Sequence, residues 1–333
     1  MQEYFQGKTV LLTGAAGFIG SNLVSRLLPM GVNLIGVDNL ITGRIQNLSD
    51  YLDESGVSKV ENFQFINADV SQPVDKYLPE NTIVDLILHF ASPASPPRYQ
   101  AFPVETYLVN SMATHYLAEF LMKTNQEGRL LFAGTSEAYG NPQVHPQTED
   151  YWGNVNPNGK RSCYDESKRM GETVCGVFNR DFGLDTRIVR IFNTYGPNMD
   201  PSDGRVIPNF ITQALRNEPL TIYGDGSYTR SYCFVDDLVE YILRFASKQG
   251  LAGETINIGN PGEYTVLETA KIVNEVINHG KELEVEHKEI PSDDPAKRQP
   301  DISKAIQLLE YEPQVDFKDG LVKTVEYFRK IAY

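Results

Sequence analysis

Short apolar runs alternate with longer amphipathic stretches through the first part of the chain. "KTVLLTG", "NLIGVD", "NFQFINAD", "TIVDLILHFAS", "GRLLFAG" and "DTRIVRIFN" each hold an apolar run too short for a helix. Their spacing predicts strands buried on both faces. Between them, "GFIGSNLVSRLLPMG" has helical spacing and stops at Gly31. "PVETYLVNSMATHYLAEFLMKT" opens on Pro103, a residue suited to a first helical turn, and "CYDESKRMGETVCGVFNRDFG" closes on Gly183. Strands alternating with helices, without hairpin signals, predict a parallel sheet covered on both faces.

The pattern changes after Asn193. "TYGPNMDPSDGR" is a Gly/Pro/Asp-rich loop, and "RNEPLTIYGDGSYTRSYCFVDDL" reads as short strands and turns. A helix returns at Val235, followed by the strand "ETINIGN". The remainder mixes short helices with "ELEVEHKEI", and no internal repeat or low-complexity tract interrupts it.

Composition narrows the function classes. The chain has 333 residues, 41% hydrophobic and 22% charged, with a net charge of −14. A length of this order exceeds what one compact core holds, so a large domain and a smaller one are expected. No basic cluster offers a footprint for nucleic acid or an anionic membrane. No apolar run approaches the ~20 residues of a membrane helix. "MQEYFQGKTVLLTG" runs straight into a strand, so a cytoplasmic protein is expected. Cys163, Cys175 and Cys233 lack CxxC spacing, and the five histidines form no paired motif. No disulfide framework and no metal site are expected.

"TGAAGFIG" sets Gly14, Gly17 and Gly20 between a predicted strand and a predicted helix. That placement lets the backbone approach a pyrophosphate at a helix N-terminus. Asp38 ends the next strand, where a carboxylate suits the adenosine ribose hydroxyls of NAD and repels the 2′-phosphate of NADP. The expected fold is therefore α/β, a Rossmann-type doubly wound parallel sheet with a smaller, mixed α/β C-terminal lobe. Residues 1–193, completed by about 232–260, form the NAD domain. Residues 194–231 and 261–333 form the substrate lobe.

"YDESK" puts Tyr164 and Lys168 on one face of a helix. A lysine ammonium near a phenol lowers the tyrosine pKa, which equips the pair to take a proton from a sugar hydroxyl as hydride leaves. "GTSEAYG" follows the core strand "RLLFA" with Thr135, Ser136 and Glu137, and a carboxylate there is costly unless it is used or paired. Cys163 has no base partner and reads as a pocket-wall residue. His89 reads as a satisfied core histidine. Trp152 suits either stacking on a ligand or anchoring a loop.

"TGAAGFIG", "GTSEAYG" and "YDESK", in this order, resemble the extended short-chain dehydrogenase/reductases that modify nucleotide sugars. "VDNLITGR", "HFASPASPPRYQ", "VHPQTEDYWGNVNPNGKRSCYDESKR", "RIFNTYGPNM", "DGRVIPNF" and "DDPAKRQPDISKA" narrow the resemblance to the UDP-glucuronate decarboxylase branch. The resemblance spans essentially the whole chain. It implies catalytic roles for Thr135, Ser136, Glu137, Tyr164, Lys168 and Arg298. It implies cofactor contacts at Gly14, Ala16, Gly17, Phe18, Ile19, Gly20, Asp38, Asn39, Thr42, Gly43, Arg44, Asp69, Val70, Phe90, Ser92, Tyr164, Lys168 and Thr194. Pro93, Asn193, Arg205, Tyr223, Arg230 and Arg298 are implied for the substrate.

The implied reaction converts UDP-glucuronate to UDP-xylose on bound NAD, in a homodimer. Ser136 stands where the family's 4,6-dehydratases carry an aspartate, which removes the acid for dehydration. The alternatives are a 4-epimerase or dehydratase of the same family and a non-catalytic NAD-binding scaffold. The sequence also departs from the branch. Leu108 stands where close relatives often have lysine, and about two extra residues near "TNQEG" separate this helix from the next strand.

Overall fold

A computed structural model describes residues 1–279, 281–290, 295 and 297–332. Asp293, Asp294 and Ala296 of the "DDPAKRQPDISKA" segment lie outside the described residues.

All the apolar runs expected as strands form one sheet. Its strands are β1 (Thr9–Thr13), β2 (Asn33–Asp38), β3 (Phe63–Asn67), β4 (Leu86–His89), β5 (Arg129–Thr135), β6 (Asp185–Ile191) and β7 (Thr255–Ile258). Every pairing is parallel, and the order is β7-β6-β5-β4-β1-β2-β3. The helices named below are α1 (Phe18–Leu27), α2 (Pro96–Ala101), α3 (Pro103–Thr124), α4 (Ser162–Phe182), α5 (Val206–Leu215), α6 (Val235–Ser247), α7 (Val266–Asn278), α8 (Ser303–Leu309) and α9 (Phe317–Ala332).

Alternate strand residues face opposite cores. Val10, Leu12, Leu131 and Val189 pack with Leu23, Val24 and Leu27 of α1 and with Leu238, Ile242 and Phe245 of α6. Leu11, Leu130, Phe132 and Ile188 pack instead with Ala113, Leu117 and Leu121 of α3 and with Val174, Cys175 and Phe178 of α4. The first core continues without a break into Phe210 of α5, Val273 of α7 and Phe328 of α9.

The smaller lobe is built from short pairs. Leu220–Tyr223 pairs in parallel with Val285–Lys288, and Thr229–Ser231 pairs antiparallel with Glu263–Thr265. At the lower end of the sheet, Arg129 and Arg187 grip Asp185 at 2.7 and 2.8 Å. They also donate to Ala246 O and to Phe245 O and Lys248 O. These bonds satisfy the last carbonyls of α6.

The strand order reverses at β1, which pairs with β2 on one side and β4 on the other. Ligands of open α/β sheets bind beyond the carboxyl ends of the strands at such a switch point.

Candidate active site

The turn after β1 forms one wall of a cleft. A Cβ on Gly14 would lie 2.7 Å from Ala91 N, and one on Gly20 would lie 1.9 Å from Gly14 O. Glycine is therefore required for α1 to approach β1 and β4 this closely. Gly17 caps α1 without a side-chain hydrogen bond, which leaves first-turn N–H groups for an anion.

Asp38 Oδ2 accepts from Ala16 N at 3.0 Å, and its Oδ1 accepts from Leu40 N at 2.8 Å. Burial pushes the Asp38 carboxyl above its ordinary value despite these bonds. The cleft is lined by Gly14, Gly17, Asp38, Asn39, Thr42, Gly43, Asp69, Val70, Phe90 and Ser92. All ten are expected cofactor contacts. Pro93, expected at the substrate, lines this same cleft, and so does Glu105. A glycine turn that leaves no room for a Cβ, an open helix N-terminus and a carboxylate at the second strand end together fit a dinucleotide.

A loop over this turn is tied down by asparagines. Asn22 donates to Pro197 O at 3.1 Å, Asn47 to Asn198 O at 3.2 Å, and Asn198 to Ser21 Oγ at 3.1 Å. From the other side of the cleft, Arg98 of α2 reaches Asp200 at 3.0 Å.

The second half of the site lies at the end of β5. Thr135 caps a tight turn, Ser136–Tyr139, by accepting from Glu137 N at 3.2 Å. Buried Tyr139 pins that turn, donating to Asn257 Oδ1 at 2.7 Å and accepting from Arg190 Nη1 at 3.0 Å. Tyr164 and Lys168 project together from α4, both buried. The Thr135 hydroxyl favours the ionised form of the Tyr164 hydroxyl. Tyr99 of α2 stacks on the Tyr164 ring, with centroids 5.1 Å apart and planes 9° apart.

The expected lowering of the Tyr164 pKa is not present in this arrangement. Burial pushes the phenol up to about 12, against the opposing pull of Thr135. Lys168 Nζ donates to Ala133 O at 2.8 Å and sits 5.8 Å from the Tyr164 ring centroid. Burial also pulls the lysine down to about 7, which weakens the cation that was to act on the phenol. His89, between Thr13 Oγ1 (2.7 Å) and Val109 O (3.0 Å), is a satisfied core residue that burial keeps neutral.

Glu137 is the electrostatic centre. Its Oε2 accepts from Arg161 Nη2 and lies 3.2 Å from Arg298 Nη2. Burial alone would raise its pKa, but Arg298, Arg161 and Arg230 bring it below the ordinary value. Arg298 is 1% exposed, and it also donates to Ser136 O and to Gly140 O (3.2 Å). The Arg298 carbonyl accepts from Ser231 Oγ at 3.0 Å, which fixes the C-terminal segment against the smaller lobe.

Arg205 pairs with Asp203, and its charge acts on Tyr164 and Glu137. Tyr223 is 44% exposed on the edge pair of the lobe. Thr194 donates to Phe192 O at 2.9 Å, and Asn193 O accepts from Cys233 N at 2.9 Å. Cys163 Sγ contacts Tyr99 O at 3.6 Å, and burial raises its pKa, as suits a pocket-wall residue. Trp152 is 88% exposed, so loop anchoring falls to its carbonyl, which accepts from Arg169 at 2.7 Å. No group of three or more His, Cys, Asp or Glu among the described residues is arranged to hold a metal.

The family model described as "NAD dependent epimerase/dehydratase family" matches residues 10–259. The chain belongs to that family. Within it, the chain is 47% identical over 324 residues to UDP-glucuronic acid decarboxylase 4 of Arabidopsis thaliana, covering 97% of this chain and 69% of the relative. It is 43% identical over 323 residues to UDP-glucuronic acid decarboxylase 1 of Xenopus tropicalis, covering 97% and 72%. The crystal structure of UDP-glucuronic acid 4-epimerase from Bacillus cereus, in complex with UDP-glucuronic acid and NAD, has a TM-score of 0.82 at 27% identity and covers 97% of this chain and 99% of that one.

The structure adds Arg161, Asp165 and Tyr99 to the site. None was among the expected site residues, and all three surround Glu137 and Tyr164. Arg161 and Asp165 stand four apart on one helix face, a spacing visible in the sequence.

Proposed function

We infer that this chain decarboxylates UDP-glucuronate to UDP-xylose with NAD as its cofactor. The observation that carries the reading is Glu137, set beside the Thr135–Tyr164 pair and held by Arg161 and Arg298. Hydride transfer alone does not call for a second carboxylate clamped at that point, whereas removal of CO2 followed by protonation does. The relatives named as UDP-glucuronic acid decarboxylases, 43% and 47% identical across nearly the whole chain, support the substrate.

Bound NAD supplies the acceptor, and later the donor, of the C4 hydride. The site residues we assign to it are Gly14, Gly17, Gly20 and Asp38, with Phe90 and Ser92 opposite. Tyr164, oriented by Thr135, takes the proton of the C4 hydroxyl. The tyrosine must act as phenolate, so the roughly 12 of the free protein has to fall when the site is filled. Oxidation at C4 places the C5 carboxylate β to a ketone. The C5–carboxylate bond then breaks, its electron pair enters the C4 carbonyl as an enolate, and CO2 leaves. Glu137 takes up a proton from solvent and delivers it to C5, the step for which Arg298 positions it. Tyr164 returns its proton as C4 is reduced again. Arg205 and Arg230 meet the nucleotide diphosphate, and residues 194–231 and 261–333 form the lobe that carries them.

Two finer assignments belong to this reading. A second copy of the chain covers the outer face of α3 and α4, where Met122, Met170 and Phe182 line an apolar hollow with His115. The protein works in the cytoplasm, whose reducing conditions suit three free cysteines. No helix among the described residues is long and apolar enough to cross a membrane.

Incubation with UDP-glucuronate and NAD, followed by mass spectrometry, tests the assignment. Loss of CO2 is expected. An isomer of unchanged mass would make the chain a 4-epimerase, loss of water a dehydratase, and no turnover a binding scaffold.

A further inference from the structure

Asp165 follows Tyr164 on α4 and is only 6% exposed. Its Oδ2 lies 3.7 Å from Nε of Arg161, one helical turn back. Its Oδ1 is buried and has no hydrogen-bond partner among the described residues. The same guanidinium donates through Nη2 to Glu137. One arginine therefore serves two carboxylates on two different elements.

Charges from several elements face this pair. Arg298 reaches Glu137 from the C-terminal segment, and Arg230 acts on it from Thr229–Ser231. Glu166 and Tyr164 flank Asp165 on α4. Tyr99 approaches from α2, and Arg205 from the segment before α5.

We propose that Asp165 is a positioning residue for decarboxylation: by sharing Arg161 with Glu137, it keeps the Glu137 carboxylate able to take up and release the proton that C5 requires. The proposal rests on the decarboxylase reading above. Two arginines on a single buried carboxylate would hold it as a permanent anion, useless as an acid. A second negative charge on the far side of Arg161 offsets part of that hold.

The titration of the pair agrees with this geometry. Burial, then the charge of Glu137, pushes Asp165 up to about 7. Glu137 is held below its ordinary value. Above about pH 7 both carboxylates are therefore ionised around Arg161, and the Asp165 charge is present to act on it. Removing the Asp165 charge strengthens the hold of Arg161 on Glu137. Glu137 then binds a proton less readily, and the step that needs it moves to lower pH.

Infrared titration of the full chain tests the coupling without turnover. The C=O band of a buried protonated carboxyl should titrate near pH 7 in the unmodified protein. It should vanish in Asp165→Asn, move to lower pH in Glu137→Gln and move to higher pH in Arg161→Gln. A band that persists in Asp165→Asn, or stays in place in Glu137→Gln, overturns the proposal.

The second arm is the pH profile of CO2 release. Asp165→Asn should move its alkaline limb down by about one pH unit and lower kcat about tenfold above neutral pH, with KM within about twofold. Arg161→Lys should recover part of the loss seen in Arg161→Gln. An unmoved profile overturns the role. If the unmodified protein releases no CO2, the decarboxylase reading and this role fall together, while the infrared titration still decides whether Asp165 and Glu137 are coupled.

Discussion

Replacing Arg298 by methionine removes a buried cation while keeping most of its apolar stem. Ser136 O, Gly140 O and Glu137 each lose a donor. At 3.2 Å, the attraction to Glu137 is worth about 5 kcal/mol at an effective dielectric of about 20. Removing one partner of a buried pair typically costs ~3–5 kcal/mol. Arg161 remains on Glu137, so the lower end, about 3 kcal/mol, is expected at pH 7. With a urea m-value of about 3 kcal/mol/M, the unfolding midpoint should fall by roughly 1 M.

The pH dependence separates charge loss from packing loss. In the unmodified protein, the folded-state pKa of Glu137 is lowered. Its contribution is present above the unfolded pKa of about 4.3 and is lost only as pH falls through the lower folded value. In Arg298→Met, the Glu137 pKa should rise above the unfolded value. The resulting penalty is full at high pH and shrinks as pH falls through the raised folded value. The stability difference between variant and parent should therefore narrow by about 1 kcal/mol or more between about pH 7 and about pH 5. Adding Glu137→Gln should recover about 2 kcal/mol of the loss at pH 7, a coupling of the size seen between contacting residues. Equal penalties at both pH values, together with additive single and double variants, would refute the charge argument.

Tyr164→Phe removes the group assigned to the C4 proton and should slow the first reduction of bound cofactor about a thousandfold in stopped-flow absorbance. A near-normal rate would assign the proton elsewhere. Glu137→Gln should still reduce cofactor on mixing with UDP-glucuronate yet yield little pentose by mass spectrometry; full turnover would exclude its acid role. Gly20→Ala places a Cβ 1.9 Å from Gly14 O, so α1 must shift away from β1. Calorimetry should show NAD affinity reduced by at least about tenfold, the equivalent of ~1.4 kcal/mol, and an unchanged affinity would show that the turn yields more easily than its packing implies.

The sheet was legible because its strands are nearly continuous apolar runs and its connections are local. Buried on both faces, β4, β5 and most of β1 could be read without knowing their neighbours. The lobe was less legible because its strands are two to four residues long and pair with distant partners, as Leu220–Tyr223 does with Val285–Lys288. Glycine turn, Asp38 and the Tyr164–Lys168 pair share local sequence signatures. Arg161 and Arg298 converge on Glu137 from 24 and 161 residues away, and periodicity carries no trace of that. The protonation of Tyr164 was misread for a related reason. Spacing shows that Lys168 shares its face, but it cannot show that both groups are buried or that the ammonium is engaged by Ala133 O.

The asparagine ties over the glycine turn bear on how the protein spends its time between cycles. Oxidation and reduction at C4 cancel, so each round returns the cofactor to its starting state and nothing needs to be exchanged. The bonds from Asn22, Asn47 and Asn198, and the Arg98–Asp200 bridge across the cleft, must break before the loop can lift. An oxidoreductase that discharges its cofactor every round would be throttled by such a fastening. In a cycle that closes on its own cofactor such a fastening carries no such penalty, because the dinucleotide has no need to leave between rounds.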